Sequence, residues 1–155
     1  MTRVWRARLH EAEAVAELLV AFRDHMGRDW PSNNAFLASV ERLMERGEAE
    51  YLLGAPRPEA QPAAVAQLRF RFAIWFAAPD CTLEDLYVGP AARGVGLGRA
   101  MVEAALARAV ERECRRVELD VDEDNAPARA LYESAGFYSG SDRAGQRQLF
   151  MRHRL

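Results

Sequence analysis

A glycine-rich turn in the middle of the chain is the first feature that could do chemistry. It contains Arg93-Gly94-Val95-Gly96-Leu97-Gly98, and it follows the strand-like segment "LEDLYV" and precedes a long amphipathic helical pattern. Glycines let backbone N–H groups converge on one point, and a helix N-terminus adds unpaired donors and the positive end of its dipole. Together with the arginine, this turn predicts a site for an anion, with a pyrophosphate as its natural guest.

Two common phosphate-binding motifs do not fit this turn. The dinucleotide motif G-x-G-x-x-G needs a third glycine, where the chain has Arg99. The P-loop needs Lys and then Ser or Thr after its second glycine, where the chain has Val95 and Gly96. The pattern R-G-x-G-x-G/A fits completely. A tight strand–helix connection that needs small residues is the structural alternative.

The segments on either side of the turn make the pattern more specific. "LEDLYV" (83–88) before the turn and "NAPARALYESAGF" (125–137) after it resemble the GNAT acetyltransferase superfamily. The resemblance implies that the turn binds the pyrophosphate of acetyl-CoA and that the preceding strand pairs with the pantetheine arm. The cofactor-binding residues that it implies are Leu86, Tyr87, Val88, Arg93, Gly94, Val95, Gly96, Leu97, Gly98, Arg99 and Asn125.

Acetyl transfer to an amine needs proton transfers at two places. An alkylammonium has a pKa of about 10, so only a small fraction is nucleophilic at neutral pH, and the departing thiolate needs a proton donor. Tyr132 matches the tyrosine that many GNAT members place beside the cofactor sulfur, which implies a general acid. Its alternative role is packing, because Ala128, Leu131 and Tyr132 also form an apolar stripe.

Glu84 is the candidate general base. Some relatives, including diamine acetyltransferases with a similar "LED" stretch, use an acidic residue here, either directly or through water. Asp85, expected on the opposite face of the strand, could orient the substrate instead. The structural alternative is that Glu84 pairs with Arg69 or Arg71 across a hairpin.

The acceptor is expected to enter from the loop between the first two helices, as in the family. The segment "FRDHMGRDWPSN" (22–33) offers Asp24, His25, Arg28, Asp29 and Trp30. Its mixed charge permits an amine, a diamine or an amino acid. His25 is given no role, because a histidine near a helix end is usually solvated.

Neither a metal nor an acyl-enzyme is predicted. "DVDEDN" (120–125) resembles the start of a calcium loop, but Asn125 and Leu131 stand where such a loop needs Gly and Glu. Cys81 and Cys114 lie in no metal-binding or CxxC spacing, so both are expected to be free thiols. Direct attack by the amine in a ternary complex is therefore favoured over a ping-pong route.

Composition limits the class of protein. The chain has 155 residues, a net charge of −2, 50% hydrophobic residues and 28% charged residues, as expected of one globular domain spanning 1–155. It has no broad basic surface for nucleic acid, no apolar run for a membrane and no signal-peptide pattern at its N-terminus. A cytoplasmic location is therefore expected. The resemblance adds a possible homodimer.

The hydrophobic periodicity predicts an α/β domain with a mixed sheet flanked by helices. The expected order is β-α-α-β-β-β-α-β-α-β-β, which agrees with a GNAT fold. The predicted strands include segments at 2–8, 49–55, 64–72, 82–88, 115–121 and 146–155. The predicted function is acetyl-CoA-dependent transfer to the primary amine of a small molecule. The alternatives are a non-catalytic acyl-CoA-binding regulatory module and a transferase that uses another acyl-CoA.

Overall fold

The computed structural model describes residues 1–140 and 143–155. The elements that position the candidate site are five strands, four α-helices and two short 3-10 turns at Leu9–Glu11 and Pro90–Ala92. The strands are β1 (Arg3–Arg6), β2 (Ala49–Ala55), β3 (Ala64–Ala73), β4 (Ala78–Val88) and β5 (Val117–Glu118), and the helices are α1 (Ala12–His25), α2 (Asn33–Glu45), α3 (Leu97–Glu111) and α4 (Ala126–Ser134).

All five strands form one sheet in the order β1-β2-β3-β4-β5. Neighbouring strands are antiparallel except β4 and β5, which are parallel and are joined through α3. The sheet is therefore mixed, with an antiparallel meander of β2, β3 and β4 followed by a parallel pair. The predicted α/β class with a mixed sheet is therefore confirmed.

The two faces of the sheet carry separate apolar cores. Residues that alternate along β3 divide between them, so Val65 packs with α1 and α2 while Ala66 and Leu68 pack against α3. This division follows from the two-residue period of a strand. Apolar helix residues cover both faces, and Val15 and Met101 are fully buried on opposite sides. The sheet is thus held rigidly between two helical layers.

A β-bulge interrupts the pairing of β3 with β4. Gln67 is opposite Asp85, but the next residue of β3, Leu68, is opposite Leu83, so Glu84 is the extra residue. A bulge places two residues of one strand against one of its partner and changes where the side chains point. The alternation that predicted Asp85 and Glu84 on opposite faces therefore fails at this position.

The sheet opens between β4 and β5. The two strands pair only at Cys81↔Val117 and Thr82↔Glu118. Beyond Thr82, the remainder of β4 has no strand partner on that side among the residues that the structure describes. A gap bounded by the free edge of β4 therefore leads towards the glycine-rich turn.

The predicted order ends in two strands after the last helix, and neither is formed among the described residues 135–140 and 143–155. The segment predicted at Arg115–Val121 forms a ladder only at Val117–Glu118, and the segment predicted at Gln146–Leu155 forms no strand. Alternating side chains alone do not make a strand, because its backbone N–H and C=O groups need a partner edge. Leu149 and Met151, which alternate within this segment, are exposed.

The start of α2 agrees with its sequence signal. The Ser32 hydroxyl accepts a hydrogen bond from the Ala35 N–H at 3.2 Å, as expected of an N-cap residue. This cap fixes the beginning of α2 and therefore the end of the α1–α2 loop. Over the described residues, every helix is too short or too polar to cross a membrane.

Candidate functional site

The glycine-rich turn has a backbone conformation that favours glycine at two positions. Gly94 and Gly96 have φ angles of 78° and 81°, a region that side-chain-bearing residues rarely adopt. A Cβ atom built on either residue would meet no heavy atom within 4 Å. The space around the turn is therefore open, and glycine is required there by the backbone rather than by crowding.

The N-terminus of α3 opens onto the same space. Gly96 is its N-cap residue and, having no side chain, cannot accept a hydrogen bond from the first turn as a capping side chain would. The first N–H groups of a helix have no partner within the helix, and they carry the positive end of the helix dipole. Leu97 is buried and anchors this end in the core. The donors at the start of α3 can therefore bind an anion.

Two arginines flank the turn. The Arg93 side chain donates from Nε to the Val88 carbonyl at 3.0 Å, which holds it across the end of β4. Arg99 lies on the exposed face of α3 and pairs with Glu103 at 2.9 Å. An exposed pair of this kind contributes little stability and is easily exchanged for another anion.

The free edge of β4 offers backbone groups next to the turn. Successive residues of a strand point their N–H and C=O groups alternately to its two edges. The Gly89 N–H bonds to the Ala63 carbonyl on the β3 side at 2.8 Å, so the groups of Tyr87 face β3 as well. Those of Leu86 and Val88 face the open edge, where an extended ligand could pair with them.

A pocket lies on the face of the sheet that α1 and α2 cover. It is bounded by the sheet, by these two helices and by the loop between them. It has a volume of about 270 Å³. Most of its wall is apolar. The sheet contributes the side chains of Tyr51, Gln67 and Asp85 to this wall. The apolar wall residues include Phe22, Met26, Trp30, Phe36, Val40 and Leu43.

The bulge brings the two carboxylates of "LED" near each other, with Asp85 in the wall of this pocket and Glu84 exposed outside it. Asp85 lines it, and the Glu84 carboxylate accepts a hydrogen bond from the side-chain amide of Gln67, which also lines it. Burial, and secondarily the negative charge of Glu84, raise the pKa of Asp85 above its usual range. The prediction that Asp85 faces away from Glu84 is therefore wrong.

The structural alternative for Glu84 is also wrong. Arg69 pairs with Glu48, and Arg71 pairs with the buried carboxylate of Asp80. Both guanidinium groups thus have other partners, and the side chain that holds Glu84 is Gln67.

Tyr132 lies on α4, on the face of the sheet that α3 covers, and the pocket lies on the opposite face. It is partly buried against the α3-side core, and its ring meets that of Phe137 edge to face at 5.8 Å between centroids. Burial and the negative charge of Asp85 raise the pKa of its hydroxyl, so this group stays protonated at neutral pH. Packing and proton donation are compatible here, because the ring packs while the hydroxyl keeps its proton.

Asn125 is the N-cap residue of α4. Its side-chain oxygen accepts a hydrogen bond from the Ala128 N–H at 3.3 Å. The structure thus gives Asn125 a local role in starting the helix that carries Tyr132. A contact between Asn125 and a cofactor stays a prediction.

Neither cysteine is activated as a nucleophile. Burial raises the pKa of Cys81 to about 12, and burial also raises the pKa of Cys114. A nucleophilic thiol needs a lowered pKa. Within the described ranges, no three His, Cys, Asp or Glu side chains come together as a metal site.

Sequence reasoning missed Tyr51 and Gln67 as parts of the site. Tyr51 is almost completely buried, and desolvation followed by the charge of Asp85 raises its pKa. Both residues lie in strand patterns that read as ordinary core and solvent-facing positions. The polar side chain of Gln67, opposite the acidic pair, is the one sequence signal for this part of the site. It can be recognised only when the register of β3 and β4 is known.

Comparison with known proteins agrees with this geometry. The model of a family described as the Acetyltransferase (GNAT) family matches residues 13–137. A mycothiol acetyltransferase of Beutenbergia cavernae is 46% identical over 67 residues, which cover 41% of this chain and 23% of that protein. N-alpha-acetyltransferase 40 of Saccharomyces cerevisiae is 43% identical over 67 residues, which cover 39% of this chain and 24% of that protein. The matched regions thus span about a quarter of these two relatives.

Solved structures resemble the whole chain. One is from Arthrobacter sp. FB24 and is assigned as an acetyltransferase only provisionally. It superposes with a TM-score of 0.87 at 27% identity, covering 99% of this chain and 96% of that one. The arrangement of sheet, turn and helices is therefore shared over nearly the full length of both chains.

Proposed function

Because the chain belongs to the GNAT family of acetyltransferases, we propose that it transfers the acetyl group of acetyl-CoA to the primary amine of a small molecule. The observation that carries the acceptor part of this proposal is the aromatic-lined pocket with Asp85 in its wall. We further propose that residues 1–155 act as one domain.

The donor end of the site fits acetyl-CoA. The turn at Gly94 and Gly96 leaves open space in front of the uncapped start of α3, which suits a pyrophosphate. The backbone groups of Leu86 and Val88 on the free edge of β4 suit the amides of a pantetheine arm. When bound there, acetyl-CoA would supply an acetyl group activated as a thioester.

The acceptor end of the site fits an amine. Asp85 can bind an ammonium group by a charge-assisted hydrogen bond, and it can also take the proton that this group must lose. Its raised pKa makes it a stronger base than an ordinary aspartate, because the base strength of a carboxylate rises with its pKa.

The geometry favours roles for Asp85 and Glu84 that differ from those predicted from the sequence. We assign the base to Asp85, which lines the pocket, rather than to Glu84. Glu84 is held by Gln67, and its negative charge helps to raise the pKa of Asp85. Glu84 is therefore a positioning and tuning residue in this proposal.

Tyr132 supplies the other proton. Its hydroxyl is kept protonated by burial, and it is near enough to Asp85 to feel that negative charge. It would donate towards the sulfur that leaves with CoA. The raised pKa of both cysteines supports direct transfer in a ternary complex over a route through an acylated thiol.

The two relatives do not identify the acceptor of this chain, because one is named for mycothiol and the other for N-alpha acetylation. The pocket favours a small molecule. A concave, largely apolar cavity with a few polar groups is typical of small-ligand sites. A flexible protein N-terminus would need further contacts along an open groove.

The test is thiol release from acetyl-CoA in the presence of small amines, amino acids and peptides, with the product identified by mass spectrometry. Acetylation of a small amine that is lost in Asp85→Asn supports the proposal. Glu59→Gln is the matched control, since Glu59 is an exposed carboxylate in the β2–β3 loop and does not line the pocket.

The alternatives give different results in this assay. If the protein binds CoA but releases no thiol from acetyl-CoA with any acceptor, it is a regulatory acyl-CoA-binding module and not an enzyme. Faster release with succinyl-CoA than with acetyl-CoA would change the donor. Acetylation of peptides but not of small amines would overturn the acceptor class.

A further inference from the structure

The acceptor pocket has one acidic residue in its wall and two basic residues on its loop side. We infer that it selects monoamines with an apolar body and rejects diamines, and that Trp30 and Arg28 are the residues that determine this specificity. This inference rests on the proposed function, because it concerns the acceptor of the same reaction.

The apolar body is inferred from the walls. Phe22, Met26 and Phe36 come from α1 and α2, and Trp30 completes the wall from the loop between them. Phe22 is fixed by stacking on Tyr87, with 5.3 Å between ring centroids. Trp30 is different, because 73% of its surface is exposed although it lines the pocket. An alkyl or aryl group in the pocket would cover the face of this indole.

The rejection of a second ammonium is inferred from the charges. Asp85 is the one carboxylate among the residues that line the pocket, while Arg23 and Arg28 both line it. Arg23 is neutralised by Asp24 and also donates to the Pro31 carbonyl. Arg28 forms no ion pair among the residues that the structure describes. A diamine with one end on Asp85 would bring its other end into an apolar cavity with an unpaired arginine.

The experiment compares kcat/KM for ethylamine, hexylamine and 1,5-diaminopentane at saturating acetyl-CoA. Hexylamine and the diamine have equal numbers of non-hydrogen atoms, so they differ in charge and not in size. Burial of each methylene is worth about fourfold in binding, and an unpaired ammonium is costly to bury. We expect hexylamine to exceed ethylamine by at least about tenfold and the diamine by at least about fivefold.

Two pairs of variants test the named residues. Trp30→Ala is expected to lower kcat/KM for hexylamine by at least about fivefold while leaving ethylamine within about twofold, since ethylamine is too short to reach the indole. Its control is Trp75→Ala, because Trp75 is 95% exposed and lies outside the pocket. Arg28→Gln is expected to reduce the preference for hexylamine over the diamine by at least about threefold. Arg57→Gln, in the exposed β2–β3 loop, is its control.

The failures of the two proposals are distinguishable. If amines are acetylated but the diamine matches or exceeds hexylamine, the selectivity is wrong while the proposed function stands. Unchanged preferences in Trp30→Ala and Arg28→Gln would overturn the assignment to these residues. If no amine in the series is acetylated, the proposed function fails and this inference fails with it.

Discussion

Replacing Asp85 by Asn should stabilise the protein and inactivate it. Burial and the nearby charge of Glu84 raise the pKa of this carboxyl, so the ionised form costs the folded state free energy at neutral pH. Asn has almost the same shape and carries no charge. The substitution removes that cost, and it also removes the group that we propose takes the proton of the amine.

The size of both effects follows from general magnitudes. Each unit of pKa shift corresponds to about 1.4 kcal/mol, and 1 kcal/mol moves the Tm of a domain of this size by about 2–4 °C. The rise in Tm expected at pH 8 is therefore about 3–6 °C for each unit by which the pKa of Asp85 is raised. Loss of a general base lowers kcat/KM by about a hundredfold to ten-thousandfold.

The pH dependence gives the sign of each effect. The pKa of Asp85 is higher in the folded than in the unfolded state, so its carboxyl adds to the free energy of unfolding below the unfolded-state pKa. This contribution is lost as pH rises through the folded-state pKa. The Tm difference between Asp85→Asn and the parent protein should vanish below about pH 4 and grow above it. In the parent protein, activity should fall in acid at a pH above that of an ordinary aspartate. Glu84→Gln should move this fall to lower pH, because it removes the charge repulsion.

Thermal unfolding between pH 3.5 and pH 8, measured beside acetylation rates, checks these expectations. Glu59→Gln is the control, since this exposed carboxylate in the β2–β3 loop should change neither property appreciably. An Asp85→Asn variant that is less stable at pH 8 would refute the argument from burial. One that keeps its activity would refute the assignment of the base.

Three further substitutions test other parts of the account. Tyr132→Phe should lower kcat by about tenfold to a hundredfold with little change in KM, because it removes a proton donor but keeps the ring packing, and steady-state kinetics would show it. Gly96→Ala should cost about 1 kcal/mol of stability and weaken CoA binding in calorimetry, whereas Gly47→Ala, with φ of 64° and equally open space, should cost similar stability and leave CoA binding unchanged. The double variant Cys81→Ala, Cys114→Ala should be less stable in denaturant but should still acetylate, and loss of acetylation in a folded variant would revive a covalent route.

Local patterns predicted much of the fold. Alternation and helical periodicity predicted the α/β class with a mixed sheet and most of the strands before the last helix, and the glycine-rich turn is formed where the sequence places it, with positive φ angles at Gly94 and Gly96. These signals are local, so neighbouring residues are enough to specify them. The strand predicted over 146–155 failed because pairing depends on an available edge, which no local pattern can reveal.

The acceptor pocket was the hardest feature to predict. The alternation rule assigns Asp85 and Glu84 to opposite faces, and only the bulge opposite Gln67 brings them together. A bulge is set by the register of two strands, so it cannot be found in the sequence of one. Likewise, Tyr51 reads as an ordinary core residue until the fold brings it to Asp85.

The most direct test of the central claim is to follow an isotope-labelled acetyl group from acetyl-CoA to hexylamine. We expect the label to appear in N-acetylhexylamine at the same rate as the thiol is released, with no label on the protein. In Asp85→Asn, both product formation and thiol release should fall by at least about a hundredfold. Thiol release without acetylated amine, or label held on the protein and then passed to the amine, would contradict the central claim.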